Sequence, residues 1–204
     1  MPRRPLRASA PAADTPPYRL LRRWLRLAHR AGIAEPEAMV LATADRRGSP
    51  SARVVLLRGL DPSGLVFFTN YRSRKGRELS ARPRAAVVFY WHAIGRQVRA
   101  EGPVTRLDSP ASDLYFAARP RAARLAAWAS PQSRTIPDRG LIERRFRAIR
   151  ARFRDRDVPR PPHWGGFRLE PRSYEFWRNR PHRLHDRLRY TRRAGTWTVA
   201  RLAP

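Results

Sequence analysis

The side chains best equipped for chemistry in this sequence are cations, and they crowd at Arg180–Tyr190, RPHRLHDRLRY. Two histidines, His182 and His185, stand three apart among arginines, with one carboxylate, Asp186. On a helix that spacing would pair the imidazoles on one face for a metal. A zinc site, however, needs a third or fourth ligand and usually negative charge nearby. Arginine neighbours repel a dication, and no other metal-ligand spacing occurs in the sequence, so no metal is expected. Read as a strand, Arg183, His185 and Arg187 point one way, and Leu184, Asp186 and Leu188 the other. Such a cationic, hydrogen-bonding face suits a planar, electron-rich or anionic ligand. The plainer alternative is a solvated basic strand face.

A second cluster lies in NYRSRKGREL. Arg74 and Lys75 fall in the first turn of a helix that Ser73 would cap. Cations there oppose the helix dipole. They make sense if a phosphate docks, since dipole, amides and side chains then all favour the anion; otherwise this is an exposed basic turn. Arg53 and Arg58 end an apolar run, RVVLLR, and Tyr115, Arg119 and Arg121 surround a helix break in YFAARPRAA. Gln97 sits in a strand, and Gln132 and Ser133 in a loop. A glutamine amide both donates and accepts, as a flavin ring edge requires. There is no Rossmann or P-loop glycine pattern and no serine nucleophile elbow.

These residues need a scaffold. The 204 residues suffice for one domain with a sizeable core, and 42% are hydrophobic. No apolar run is long enough to cross a bilayer. The first 17 residues, rich in Pro, Ala and Arg, lack the apolar stretch of a signal peptide and read as a disordered arm. With no cysteine, disulfides and thiolate chemistry are excluded. The expected setting is cytoplasmic, without a membrane partner. The net charge of +28 invites a nucleic-acid reading. Yet Lys75 is the only lysine among 44 basic residues, and the arginines are spread along the chain. That is a composition bias rather than a patch, so no specific nucleic-acid partner is expected. The same field would still concentrate small phosphorylated ligands.

Helical spacing over residues 18–31 places Leu20, Leu21, Trp24, Leu25 and Ala28 on one face. The period then changes. AMVLATAD, SARVVLLR, GLVFFTN, AAVVFYW and RQVRAEGPVTRL are strand-like, separated by turn signals, with a hairpin around HAIG. A helix start at Ser109-Pro110 follows. A helical stretch at 140–154 carries Ile142, Phe146, Ile149 and Phe153 along one side. FRLEPRSYEFW, RLHDRLRY and TWTVARLA are strand-like again. The pattern predicts an α+β fold around a β-barrel or strongly curved sheet of mainly antiparallel strands.

In this order, AMVLATAD, RVVLLR, VFFTN, SRKG, WHAIGRQVR, YFAARPR, AAWASPQS, WGGFRLEP, EFW, HRLHDRLRY and the final ARLAP resemble the pyridoxine/pyridoxamine 5'-phosphate oxidase family. The resemblance covers about residues 18–204. It implies an FMN-binding split β-barrel with flanking helices over that span, forming a homodimer with FMN at the interface. It also implies a role for each matched residue. Arg53, Val54, Val55 and Leu56 would border the flavin with Phe68 and Thr69, and Arg74 and Lys75 would hold its phosphate. Gln97, Gln132 and Ser133 would address the ring and ribityl chain, and Trp177 and Arg187 would come from the C-terminal strands. Arg58, Tyr115 and Arg119 would bind the substrate phosphate. Arg183 and His185 would position the pyridine ring as the catalytic pair, the Arg183 charge favouring a neutral substrate amine. The implied reaction is oxidation of pyridoxamine or pyridoxine 5'-phosphate to pyridoxal 5'-phosphate, with dioxygen as acceptor and hydrogen peroxide as product. Two positions depart from the family. Arg58 replaces a lysine, and Ala123 replaces a serine, both at the substrate phosphate. The alternatives are a relative acting on another substrate, of the phenazine-biosynthesis type, or a flavin-binding protein without turnover.

Overall fold

The computed structural model describes residues 16–204. The expected arm therefore falls, through residue 15, outside the described residues. Pro16 already caps the first helix, α1 (Pro17–Arg30), and Pro17 supplies the fixed φ that suits a first helical position. The expected face is buried: Leu20, Leu21, Trp24, Leu25 and Ala28 pack onto the sheet, with Trp24 edge-on to Phe176 at 5.2 Å. Burying a leucine of this kind contributes about 1.5–3 kcal/mol.

Ten strands are described: β1 (Ala38–Ala44), β2 (Pro50–Leu56), β3 (Gly59–Asp61), β4 (Gly64–Asn70), β5 (Arg84–Trp91), β6 (Arg96–Arg106), β7 (Trp164–Leu169), β8 (Ser173–Arg178), β9 (Asp186–Arg193) and β10 (Thr196–Leu202). The main path runs β10-β9-β8-β6-β5-β1-β2, and β7, β4 and β3 branch from it. All pairings among these strands are antiparallel. The branch lies in β6. Its first half pairs with β8 and its last three residues with β7, while β5 runs along the other edge. The change of partner needs Gly102, because a Cβ there would overlap the Glu170 carbonyl. Backbone bonds from Glu170 N to Pro103 O (2.9 Å) and from Arg172 N to Glu101 O (2.8 Å) seal the fork. A forked ladder cannot stay flat, and the sheet curls into a split half-barrel around Leu41, Phe67, Val87, Phe89, Val98 and Leu169.

Four further helices cover it: α2 (Arg74–Ala81), α3 (Ser109–Ala117), α4 (Arg121–Ala129) and α5 (Arg139–Arg152). The last three enclose a smaller core of Phe116, Leu125, Phe153, Val158 and Trp164, against which Phe146 and Ile149 lie half-buried. Asp108, rather than Ser109, caps α3 by accepting from Ala111 N at 2.9 Å. FRLEPRSYEFW is two strands, parted at Pro171.

The largest difference from the sequence reading is at residues 180–185. The alternation expected from Arg183 to Leu188 starts only at Asp186. Pro181–Arg183 form a 3-10 turn in which His182 and Arg183 take left-handed φ of 56° and 60°. Proline removes a ladder donor, and the Asp186 carboxylate pulls the turn closed by accepting from Arg180 Nε at 2.6 Å. Arg183 is therefore exposed on a turn, off the strand face that carries Arg187.

Candidate active site

Where β2 leaves the sheet, the chain kinks. Arg58 N bonds to Val66 O at 2.8 Å, and β3 continues beside β4 rather than β1. The alternation resets there, which puts Arg58 at the mouth of a cavity of about 480 Å³. The cavity gathers ten of the expected site residues from five places in the fold. Val54, Val55, Leu56 and Arg58 come from β2 and its exit, Phe68 and Thr69 from β4, and Lys75 from α2. Tyr115 and Arg119 come from α3 and the break after it, and Gln132 from the loop after α4. Ala123, Ala126, Ala127, Asn70, Ser130 and Trp164 complete the wall. Ser133 is exposed in the same loop, with φ 67°.

One side of this cavity is a stack of flat groups. The Phe68 and Tyr115 rings lie 3.8 Å apart at 8°, and Phe68 and Trp164 lie 5.5 Å apart at 12°. The Arg119 guanidinium covers Trp164 at 4.6 Å. Its Nη1 is buried and has no hydrogen-bond partner. Burial lowers the Arg119 pKa and the nearby Arg58 charge lowers it further, against the opposing pull of Tyr115. A buried guanidinium nitrogen left unpaired is costly.

Another part of the lining comes from α2. Ser73 caps it as expected, accepting from Gly76 N at 3.2 Å. Lys75 is only 8% exposed, and its Nζ donates to Thr69 Oγ1 at 3.3 Å. No carboxylate lies within ion-pair distance of Lys75 among the described residues. Burial depresses its pKa and the Arg53 charge adds to this, with Glu78 opposing. Arg53 itself does not line the cavity. It bonds Leu41 O (3.3 Å), Thr43 Oγ1 (2.5 Å), Ser51 Oγ and Glu78 Oε2 (3.3 Å). Arg74 also turns to Glu78, with Nε to Oε1 at 2.8 Å, and lines a separate groove of about 680 Å³. Burial raises the Glu78 pKa, but bonds from Thr43, Ser51 and Arg74 and the Arg53 charge outweigh it and bring it to about 2.

The remaining expected residues form a second cluster, on the sheet. Gln97, Trp177 and Arg187 stand in one cross-strand row over β6, β8 and β9. His185 packs on Trp177 with ring centres 4.6 Å apart. The Arg180 backbone N–H donates to His185 Nδ1 at 3.3 Å, which leaves the neutral ring's proton on Nε2. Arg187 Nε donates to the buried Glu175 at 2.9 Å, a bond that raises the arginine's pKa, and Nη1 donates to Ala203 O at 2.9 Å. None of these residues, nor Arg183, lines the first cavity. On the strand path β9 is five steps from β2, roughly 24 Å at about 4.8 Å per step.

Sequence reasoning missed three things. Trp164 lies within a quoted motif, but nothing local shows that it underlies Arg119. Glu78 as a hub could have been half-seen, because it is four residues after Arg74, the spacing of a helical ion pair. Its contacts to Thr43 and Ser51 cross the fold. Ala126 and Ala127 of α4 carry no chemical signal at all.

Both the sequence and the fold have known relatives. Residues 25–153 match the family model described as pyridoxamine 5'-phosphate oxidase. Residues 164–204 match the pyridoxine 5'-phosphate oxidase C-terminal dimerisation region. A pyridoxine/pyridoxamine 5'-phosphate oxidase from Ralstonia pickettii is 54% identical over 94% of this chain and 90% of its own length. One from a Cyanothece species is 51% identical over 94% and 90%. Among solved structures, PhzG from Burkholderia lata, in complex with tetrahydrophenazine-1-carboxylic acid, superposes with a TM-score of 0.90. It is 36% identical, covering 97% of this chain and 98% of that one. A pyridoxamine 5'-phosphate oxidase-related, FMN-binding protein from Nostoc punctiforme shares the fold, with a TM-score of 0.73 at 22% identity, over 94% of this chain and all of the other. No helix among the described residues is long and apolar enough to cross a membrane.

Proposed function

The chain belongs to the pyridoxine/pyridoxamine 5'-phosphate oxidase family, and from that premise we propose that it binds FMN and oxidises pyridoxamine or pyridoxine 5'-phosphate to pyridoxal 5'-phosphate. The observation that carries this reading is one cavity lined by two cations, Lys75 and Arg119, neither with an ion-pair partner among the described residues, together with the aromatic groups Phe68, Tyr115 and Trp164. Two phosphates and two flat ring systems answer that arrangement. Lys75 and the free amides of the α2 N-terminus would hold the cofactor phosphate, with Arg53 and Arg74 beside them. Phe68, Thr69 and Val54–Leu56 would border the ring, and Gln132 and Ser133 would reach its polar edge and the ribityl chain. Arg58, Tyr115 and Arg119 would bind the substrate phosphate.

When bound, FMN would supply the acceptor for a hydride from the substrate's C4' carbon and pass the electrons to dioxygen as hydrogen peroxide; the alcohol would then give the aldehyde directly, and the amine an imine that water hydrolyses to the aldehyde and ammonia. The protein supplies orientation, exclusion of water and charge. Gln97, Trp177, Arg187, Arg183 and His185 do not line the cavity of their own subunit that holds Lys75. A second copy would bring them, and the region matched as a dimerisation segment spans three of the four strands nearest them. The face left open on β1, β2 and β5 is apolar, with Val54 64% and Tyr90 56% exposed, as a homodimer contact requires. In this reading Arg187 meets the cofactor, while Arg183 and the Nε2–H of His185 meet the substrate.

Reconstitution with FMN tests this. One FMN per subunit in a dimer is expected by native mass spectrometry, with oxygen uptake on addition of pyridoxamine 5'-phosphate. A flavin-free monomer, or no oxidation of either phosphorylated vitamer, would overturn it. A second reading is supported by the likeness to PhzG and by Ala123, where a phosphate-binding hydroxyl is missing. It keeps the flavin site and places a carboxylated polycyclic substrate against Arg58 and Arg119. Turnover of such a carboxylate, with none of the phosphorylated vitamers, would select it.

A further inference from the structure

We infer that Glu78 is a positioning residue for the flavin phosphate: its buried carboxylate holds Arg53 of β2 and Arg74 of α2 in place and so presets the cationic site around Lys75. The inference rests on the FMN reading above and concerns how the chain prepares that site. A carboxylate beside a phosphate looks misplaced, since simple repulsion predicts that its loss would tighten binding. Its charge, however, is already engaged. Oε1 accepts from Arg74 Nε at 2.8 Å. Oε2 accepts from Thr43 Oγ1 at 2.5 Å, Ser51 Oγ at 2.7 Å and Arg53 Nη2 at 3.3 Å. The side chain is 5% exposed. Partners from β1, β2 and α2 thus meet on one carboxylate, which ties the helix to the sheet edge. Charge-assisted bonds of this kind fix geometry as well as lowering energy.

Two further features point the same way. A Cβ on Gly76 would overlap the Asn70 and Tyr71 carbonyls, so α2 begins pressed against the end of β4. The helix start is therefore rigid on the β4 side, and Glu78 fixes it on the β1–β2 side. Charge also enters. Glu78 interacts with all three of Arg53, Arg74 and Lys75 and offsets only one of their charges, so the group it organises stays cationic. Without Glu78, two guanidiniums lose their anchor, and their rotamers must be ordered when the ligand binds.

Riboflavin provides the test, because it shares the ring and ribityl chain of FMN and lacks the phosphate. Deflavinated parent, Glu78→Gln, Glu78→Asp and Ser51→Ala proteins are titrated with both ligands by flavin fluorescence. A purely structural role would weaken both ligands alike. Glu78→Gln is expected to lower FMN affinity about tenfold, the scale on which outer partners act at ligand sites, with riboflavin affinity unmoved. Glu78→Asp should retain part of the preference for FMN. Ser51→Ala should shift the FMN-to-riboflavin ratio in the same direction by less, and it decides the matter if Glu78→Gln does not fold. An unchanged or increased ratio in these variants overturns the inference. Equal binding of FMN and riboflavin by the parent removes the phosphate reading itself, and this inference with it.

Discussion

Arg58 shows how much a single exposed cation can be asked to do. It lines the cavity where the resemblance implies a lysine, and it would keep that charge, with a planar head that can grip phosphate through two bonds. A charge-assisted hydrogen bond contributes about 1.5–3 kcal/mol, against about 1 kcal/mol for the neutral hydroxyl missing at Ala123. Arg58→Ala should therefore raise KM for pyridoxamine 5'-phosphate about tenfold or more, while Ala123→Ser lowers it only a few-fold. Arg58→Lys should keep most of the activity. Steady-state kinetics on the three variants check this, and an Arg58→Ala enzyme matching the parent would show that the phosphate binds elsewhere. Glu78 carries a stability prediction of its own. Its pKa is depressed from 4.5 to about 2 in the folded chain. The folded state therefore binds fewer protons than the unfolded one across that window. The stabilisation is complete above about pH 4.5 and disappears as pH falls through about 2. Urea midpoints measured from pH 5 to 2 should drop more steeply for the parent than for Glu78→Gln, and parallel curves would contradict it.

Among the elements, the turn at 180–185 separates two jobs that strict alternation would have merged. Arg187 stands on β9 and is held by Glu175, whereas Arg183 stands on a left-handed turn clamped by Arg180 and Asp186. Replacing Arg187 with alanine should weaken FMN binding. Replacing Arg183 or His185 should reduce turnover or substrate affinity and leave FMN bound. Flavin titration of the three variants distinguishes these outcomes, and equal FMN loss in all would refute the division. The same turn marks where the sequence stops being legible. The Ser73 cap, the buried face of α1 and the hairpin around HAIG depend on neighbours within a few residues, so spacing reveals them. The β6 fork depends on Gly102 meeting Glu170, and the cavity on Phe68 meeting Tyr115 and Trp164. Such contacts join residues tens of positions apart, and local pattern does not encode them. Pro181 is plain in the sequence, but nothing local shows that the two residues after it turn left-handed.

The whole molecule poses the remaining question, which is whether the two clusters on one curled sheet serve one ligand. Lys75 and Arg119 line a cavity beside β2 and β4, while Gln97, Trp177 and Arg187 lie in a row across β6, β8 and β9, outside its lining. If each flavin takes its phosphate clamp from one subunit and its second wall from the other, the two defects Lys75→Ala and Arg187→Ala should complement in a mixed dimer. In a dimer of one subunit of each kind, one site carries both defects. The other is built from the unaltered Lys75 of one chain and the unaltered Arg187 of its partner. Half of the sites should therefore recover parental FMN affinity, although each homodimer alone binds weakly. Co-expressing the two variants with different affinity tags, isolating the mixed dimer and titrating it with FMN gives the count directly. If both clusters served a flavin within one subunit, every site in the mixed dimer would carry one defect and none would recover. Recovery of about half the sites, against none, thus separates an interface site from a subunit site without relying on turnover.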